Sequence, residues 1–442
     1  MSNDRRDVPA AALDVTADAA LAGIELALGA PVDRGTRSTL AALRSRNFRL
    51  LWSGMIVNSL GRWMQTFGLG VLVVQLAFRD GVPNLAPLYL GLIGLSQAVP
   101  GFSLGVFGGA VADRTDRRRL LLVTQLSSSA IAASLAALTI FGRIDLLEIM
   151  ALASIASIVT AFEAPTRQSL APGLVPPAAV TSAVGLSSAA LNSAQMIGPL
   201  LGGLLYVPFG LGGLFVINAL GYLAGLALIW SMDPHAIRAR PAGSVLFSIR
   251  EGFAYIWGDR LTRSVVVLSF FAALLARPYP QLLPAVTAEV LRVGPIELSW
   301  LLAASGAGSL GGALAVASLG GIRHRGVVLV GAVAALGILV ATFALQRTLI
   351  GALIVMACVG FAALLQWGMA NTILQTRTPD RLRGRVTSVH VTSMLGLVPL
   401  GAMILGTAGT LFGLSASLFG GGALLAIVAI VASRSATLRR AG

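Results

Sequence analysis

The chain has 442 residues, 56% of them hydrophobic and 11% charged, with a mean hydropathy of +0.84; that leaves too little polar surface to cover a water-facing fold and places the chain in lipid. All 32 basic residues are arginine against 18 acidic ones, a net charge of +14. A single cysteine, Cys358, excludes an intrachain disulfide and a CxxC metal site, and His235, His324 and His390 lack ligand spacing, so neither a metal nor another cofactor is expected.

In chain order, residues 1–42 are alanine-rich, mix Asp with Arg and lack an apolar core followed by a cleavage site. They read as a disordered tail with one weak helix near 17–30, not as a signal peptide. Uncharged runs then match or exceed the roughly 20 residues of a bilayer-spanning helix. They place spans at 50–78, 86–112, 120–142, 146–163, 180–207, 210–232, 262–288, 298–320, 326–346, 348–376, 386–409 and 411–433. The uncharged stretches 168–232 and 386–433 are too long for single helices at about 1.5 Å rise per residue and must each fold back once. PFGLGG at 208–213 and GTLFG at 409–413 supply the turn residues.

Arginine placement sets the orientation, because cytoplasmic loops near spans hold an excess of basic residues. With the N-terminus inside, 26 arginines fall on the cytoplasmic side. Four fall outside (Arg79, Arg143, Arg292, Arg347) and two, Arg62 and Arg277, lie within spans. Anchoring therefore explains the positive charge, and no nucleic acid partner is expected. Both termini face the cytoplasm.

The loop 233–261 divides the membrane part into bundles at 43–232 and 262–434, with a short tail at 435–442. At a constant offset of 203 residues, Gly105, Gly108 and Gly109 fall on Gly308, Gly311 and Gly312, Pro176 on Pro379, Gly198 on Gly401, and Gly203 on Gly406. A shared register over three separate segments marks two copies of one topology. The expected fold is an all-α membrane protein of twelve transmembrane helices in two six-helix pseudo-symmetric bundles.

Between spans two and three the sequence reads GGAVADRTDRRRL, residues 108–120. Glycines at a span's end admit a neighbouring helix, and an aspartate there can pair with arginine or face a helix N-terminus. By itself the basic string also reads as a topology anchor. The motif resembles the signature loop of the major facilitator superfamily, which implies that fold and a cytoplasmic lock formed by Gly109, Asp113, Arg114, Arg117 and Arg118. The second copy has Val316 at the Asp113 position, so the implied lock is asymmetric.

FEAPTRQSLAPGLVPPAAV after span four, RTPDRLRGRV between spans ten and eleven, and NFRLLWSGMIVNSLGRWMQTFGLGVLVVQL in span one resemble one branch of that superfamily over residues 45–435. This is the enterobactin exporter and macrolide efflux group of transmembrane secretion effectors. Glu163 and Arg167 are four apart and can pair on a helix, although Pro165 between them threatens the turn. They are expected in the inner gate with Arg383 and Arg385, against the alternative of a solvated loop pair. NSAQMIGPLLGG in span five resembles an exporter motif with a glycine-proline pair, and marks Gly198, Pro199, Gly202 and Gly203 as a helix bend or a tight packing site.

A charge deep in a span costs at least about 2.5 kcal/mol and usually faces a cavity or a partner. The resemblance implies that spans one and seven line the central cavity, so Arg62 and Arg277 are read as facing the solute pathway, the alternatives being snorkelling or a bond to a backbone carbonyl. Asn58, Trp63, Gln65, Tyr279, Gln281, Gln366, Trp367 and Asn371 are candidates for hydrogen bonding and stacking to the solute. No acidic residue lies near a span's midpoint; Glu163 and Glu289 are the nearest candidates for coupling to protons.

With no GxxxxGK(S/T) loop and no lysine, energy must come from a gradient. The leading expectation is a monomeric secondary exporter of a small organic solute, anionic or neutral and hydrogen-bonding, in a bacterial plasma membrane. An importer of the same fold is the main alternative; a sensor or a polytopic enzyme ranks lower, the latter because no His, Asp or Glu cluster stands at a membrane face.

Overall fold

The computed structural model describes residues 40–233, 245–318 and 324–439. The expected tail helix near 17–30 lies outside the described residues. All twelve expected spans are helical. Span one is Arg46–Arg79, two Ala86–Arg114, three Arg117–Ile140 and four Leu146–Leu170. Spans five and six follow one another directly within Val180–Trp230, the chain turning between them at Gly210 with φ 63°. Span seven is Arg260–Leu275 continued by Tyr279–Ala285 and a π turn at Val286–Leu291. Then come span eight Pro295–Ser318, nine Arg325–Ala344, ten Leu349–Arg377, eleven Asp380–Phe412 and twelve Leu414–Ser433. Among the described residues, nine of these helices are long and apolar enough to cross a membrane, and one of the nine holds both spans five and six.

Side chains close the helix starts as their sequences suggest. Asp116 accepts from the amides of Arg118 and Arg119 at the start of span three. Asp145 and Glu148 form a capping box on span four, and Asp259 accepts from Thr262 N at 2.7 Å to start span seven. Each satisfies amides that have no partner within the helix. The second fold-back occurs at Gly413, φ 89°, a left-handed conformation that glycine adopts without a Cβ penalty.

Helix packing repeats between the first six spans and the last six. Span one packs on five and six, two on four, and three on six; correspondingly seven packs on eleven and twelve, eight on ten, and nine on twelve. Two further seams, two with eleven and five with eight, join the sets. The glycines matched by the 203-residue register occupy corresponding seams. Gly198 lies against Trp63 and Leu60 of span one and Gly401 against Leu274 and Pro278 at span seven; Gly203 lies against Ser299 of span eight and Gly406 against Pro87 of span two. In lipid, helices gain little from hiding apolar surface from one another, so small residues that permit close backbone approach set these seams.

One element was not foreseen. Within 233–261, read above as a loop, residues Val245–Gly258 form a helix, and its Gly252 packs on the backbone of Arg385 in span eleven. Its 14 residues are too few to span a bilayer, and it ends on Phe253, Ile256 and Trp257, an interfacial pattern rather than a water-soluble one.

Candidate solute cavity

Span seven breaks between Leu275 and Tyr279, and Arg277 sits in the break. Pro278 and Pro280 cannot donate to the preceding turns, and a break at membrane depth is tolerated only where protein or a cavity satisfies the freed groups. Arg277 Nη1 donates to the Ala363 carbonyl of span ten at 3.2 Å, and its guanidinium carbon lies 5.4 Å from the Trp367 ring centroid. Beyond the break, the Tyr279 hydroxyl is 2.6 Å from Ser305 Oγ.

Arg277 and Tyr279 line a cavity of about 590 Å³ together with Arg62, Trp63 and Gln281, so five of the ten residues assigned to the pathway from sequence meet there. Span one has two faces. Ser59, Arg62, Trp63 and Thr66 point into the cavity, whereas Asn58, Gly61 and Gln65 point at span six. Gln65 Oε1 accepts from Asn218, and Asn58, 1% exposed beside Gly225, has no hydrogen-bond partner for its amide among the described residues. Asn58 and Gln65 therefore do not meet the cavity. Nor does Gln366, which is buried and donates to Ser269 Oγ at 3.2 Å, while Asn371 bonds the Trp367 carbonyl one turn back in its own helix at 3.1 Å.

Arg62 has a second partner. Its Nη2 lies 3.9 Å from Glu163 Oε1, and the same oxygen forms a direct ion pair with Arg167. The helix continues through Pro165, so the pair forms despite it. Glu163 and Arg167 side chains are only 4% and 10% exposed, while Arg62 is 42% exposed. A buried carboxylate thus stands at the end of span four, shared by two arginines: the pair with Arg167 expected from the spacing forms, and Arg62 joins it. One positive charge remains on this side, and Arg277 adds a second across the cavity.

The contacts of the described gate residues run to several places. Arg385 pairs with Glu251 of the linker helix, and Arg381 lies 3.6 Å from the same carboxylate. Arg383 is exposed. Arg118 donates to the Ile229 and Trp230 carbonyls and covers the Trp230 ring at 5.6 Å, closing the C-terminal end of span six as a cation should. Arg117 opens span three. The side chains of Gly109, Asp113 and Arg114 lie outside the described residues. In span five, Gly198, Pro199, Gly202 and Gly203 are all buried in continuous helix, the glycines packed on spans one and eight; the non-helical residue of this stretch is Gly210.

Reading the sequence missed several lining groups: Gln97 of span two, Asn192 and Gln195 of span five, and Ser309 of span eight. An amide inside a hydrophobic run was the available signal. It also missed His390, fully buried and stacked on Trp367 at 5.2 Å between ring centroids, with no hydrogen-bond partner for either nitrogen among the described residues.

The cavity lies between two sets of six helices, with a broken helix and two arginines at its wall. The family model described as transmembrane secretion effector matches residues 37–441 of the chain. The chain belongs to that family of major facilitator superfamily transporters. Among its relatives, the transporter is 26% identical over 366 residues to the multidrug efflux pump Tap of Mycolicibacterium fortuitum, covering 79% of this chain and 88% of that one. It is 25% identical to the staphyloferrin A transporter of Staphylococcus aureus, over 83% of this chain and 90% of the other. A crystal structure of a bacterial homologue of the human lysosomal transporter Spinster superimposes with a TM-score of 0.66 at 16% identity, over 88% of this chain and 97% of that one, a likeness of fold alone. The protein is thus a multi-pass membrane transporter, not an enzyme.

Proposed function

We propose that the transporter exports a small organic solute, a siderophore, secondary metabolite or drug, by alternating access around the cavity. The two moving bodies in this reading are residues 43–232 and 262–434, with the linker 233–261 and both termini on the cytoplasmic side, in the plasma membrane of a bacterium and as a monomer. The observation that carries it is the convergence of Arg62 and Arg277, from spans one and seven, on a single cavity of about 590 Å³. Three guanidiniums, Arg62, Arg167 and Arg277, with one carboxylate, Glu163, leave a net positive lining, which favours an anionic or hydrogen-bond-rich solute over a cationic one. Gln97, Gln195, Gln281 and Ser309 would orient it. Efflux and siderophore handling among relatives at about a quarter identity support the same class.

Alternating access also explains why glycines concentrate at the two seams. Gly91 against Met403, Gly406 against Pro87, and Gly203 against Ser299 hold the bodies together near the ends of the spans remote from the linker helix. Protons are the coupling ion in this reading. The gate on the cytoplasmic side is assigned to Gly109, Asp113, Arg114, Arg117 and Arg118 with Glu163, Arg167, Arg383 and Arg385.

Everted vesicles carrying the transporter, energised by a proton gradient, test the direction with staphyloferrin A and a macrolide as probes. Export predicts accumulation of one of them in everted vesicles; accumulation only in right-side-out vesicles would establish import. Arg62→Ala and Arg277→Ala should each reduce transport of the anionic probe about tenfold or more, the cost of losing one charge-assisted contact. Unchanged transport in both variants would remove the cavity from the pathway.

A further inference from the structure

A second concavity lies on the other side of the seam between spans two and eleven. Its volume is about 710 Å³, and its floor is apolar, built by Leu95 and Val99 of span two, Phe270 of span seven, Leu400 of span eleven, and Phe253 and Trp257 of the linker helix. The lining holds one charged side chain, Arg263. We infer that this groove binds an anionic phospholipid from the leaflet on the linker side, one acyl chain lying in the groove and the headgroup phosphate held by Arg263.

The groove's polarity profile matches that ligand from end to end. Val99, Trp257 and Phe253 are 59%, 60% and 46% exposed, so the lining is not covered by the protein's own packing. Water in such a space would find almost nothing to bond, and a hydrocarbon chain fills it without that cost. Arg263 sits in the first turn of span seven, next to the end of the linker helix, at the depth where a tryptophan marks the membrane interface. Its Nη1 donates to the Trp257 carbonyl at 3.1 Å, and it makes no ion pair among the described residues. A guanidinium has five N–H donors, so a phosphate can be bound without displacing that bond. The neighbouring acid, Asp259, is committed to capping Thr262 N.

The groove and the solute cavity share a wall. Gln97 and Val398 face the cavity, while their chain neighbours Ala98 and Leu397 face the groove. A bound lipid would therefore lie directly behind the seam whose opening alternating access requires, although the site itself does not depend on the direction or the solute of transport.

Trp257 reports on the groove. The full chain is reconstituted in vesicles of phosphatidylcholine and phosphatidylglycerol at a fixed ratio, with bromine on the chains of one lipid or the other, and the Trp257 emission is taken as wild type minus Trp257→Phe. With the two lipids equimolar, brominated phosphatidylglycerol should quench that emission about fivefold more than brominated phosphatidylcholine, the discrimination expected of one arginine at the interface. Arg263→Gln should abolish the difference, and Arg263→Lys should keep most of it. Equal quenching by the two lipids would mean ordinary annular lipid and would overturn the site, as would a preference that survives Arg263→Gln. No quenching by either would mean that protein, another segment or a second copy, covers the groove. Should Arg263→Gln fail to fold, the wild-type comparison of the two lipids still decides.

Discussion

The guanidinium of Arg277 rests on the indole of Trp367, and that indole stacks on the imidazole of His390, so half-buried Arg277 and Trp367 and fully buried His390, from spans seven, ten and eleven, form one pile at the edge of the cavity. Such a pile fixes where the charge points. A desolvated cation on an aromatic face is worth about 2 kcal/mol. Trp367→Leu should therefore lower the thermal unfolding midpoint in detergent by several degrees and Trp367→Phe by less. Identical midpoints in all three proteins would show that the ring does not hold Arg277.

Glu163 is the hub of the opposite wall. Removing its charge leaves Arg167, nearly fully buried, without a counter-ion, and breaking a buried pair on one side typically costs about 3–5 kcal/mol. Glu163→Gln should be strongly destabilised in a thermal melt, and Glu163→Gln combined with Arg167→Met should regain much of the loss. A double variant as unstable as the single one would argue that the pair is not the stabilising unit.

At the five–eight seam, a Cβ on Gly203 would overlap both side-chain atoms of Ser299. Overpacking of this kind costs about 1–3 kcal/mol. Gly203→Ala should destabilise the protein by that amount, and Ser299→Gly in the same chain should restore most of it. Failure of Ser299→Gly to compensate would place the constraint elsewhere in span five.

Alternating access predicts that the seams part and close in each cycle. A Cβ on Gly91 would lie 2.8 Å from Met403 Cα and 3.0 Å from the Ala402 carbonyl oxygen, backbone atoms that cannot give way cheaply, so a side chain there keeps the two–eleven seam from closing. Overpacking of about 1–3 kcal/mol should make Gly91→Ala transport about tenfold more slowly, and Gly91→Val should be slower still. Transport at the wild-type rate in Gly91→Val would rule out tight closure of this seam as part of the cycle.

The spans, the arginine alternation and the family loops were legible because each is a local property of the chain. Hydropathy over about 20 residues is enough to require a helix in lipid, and the 203-residue register links glycines that do occupy matching seams. Which face of a helix meets the cavity is not local. In span one, Asn58 and Gln65 recur at the spacing that keeps them on one face with Gly61, and that face is turned to span six because Gly61 and Gly68 admit Asn218 and Phe215. Arg62, one residue on from Gly61, is thereby turned into the cavity. Likewise the sequence shows Glu163 four residues from Arg167 but cannot show Arg62 beside them, 101 positions away. The sequence by itself determined an all-helical membrane fold, its internal repeat and its family. Only tertiary packing decided the partners of the buried charges, because those depend on helix rotations set by glycine contacts between segments far apart in the chain.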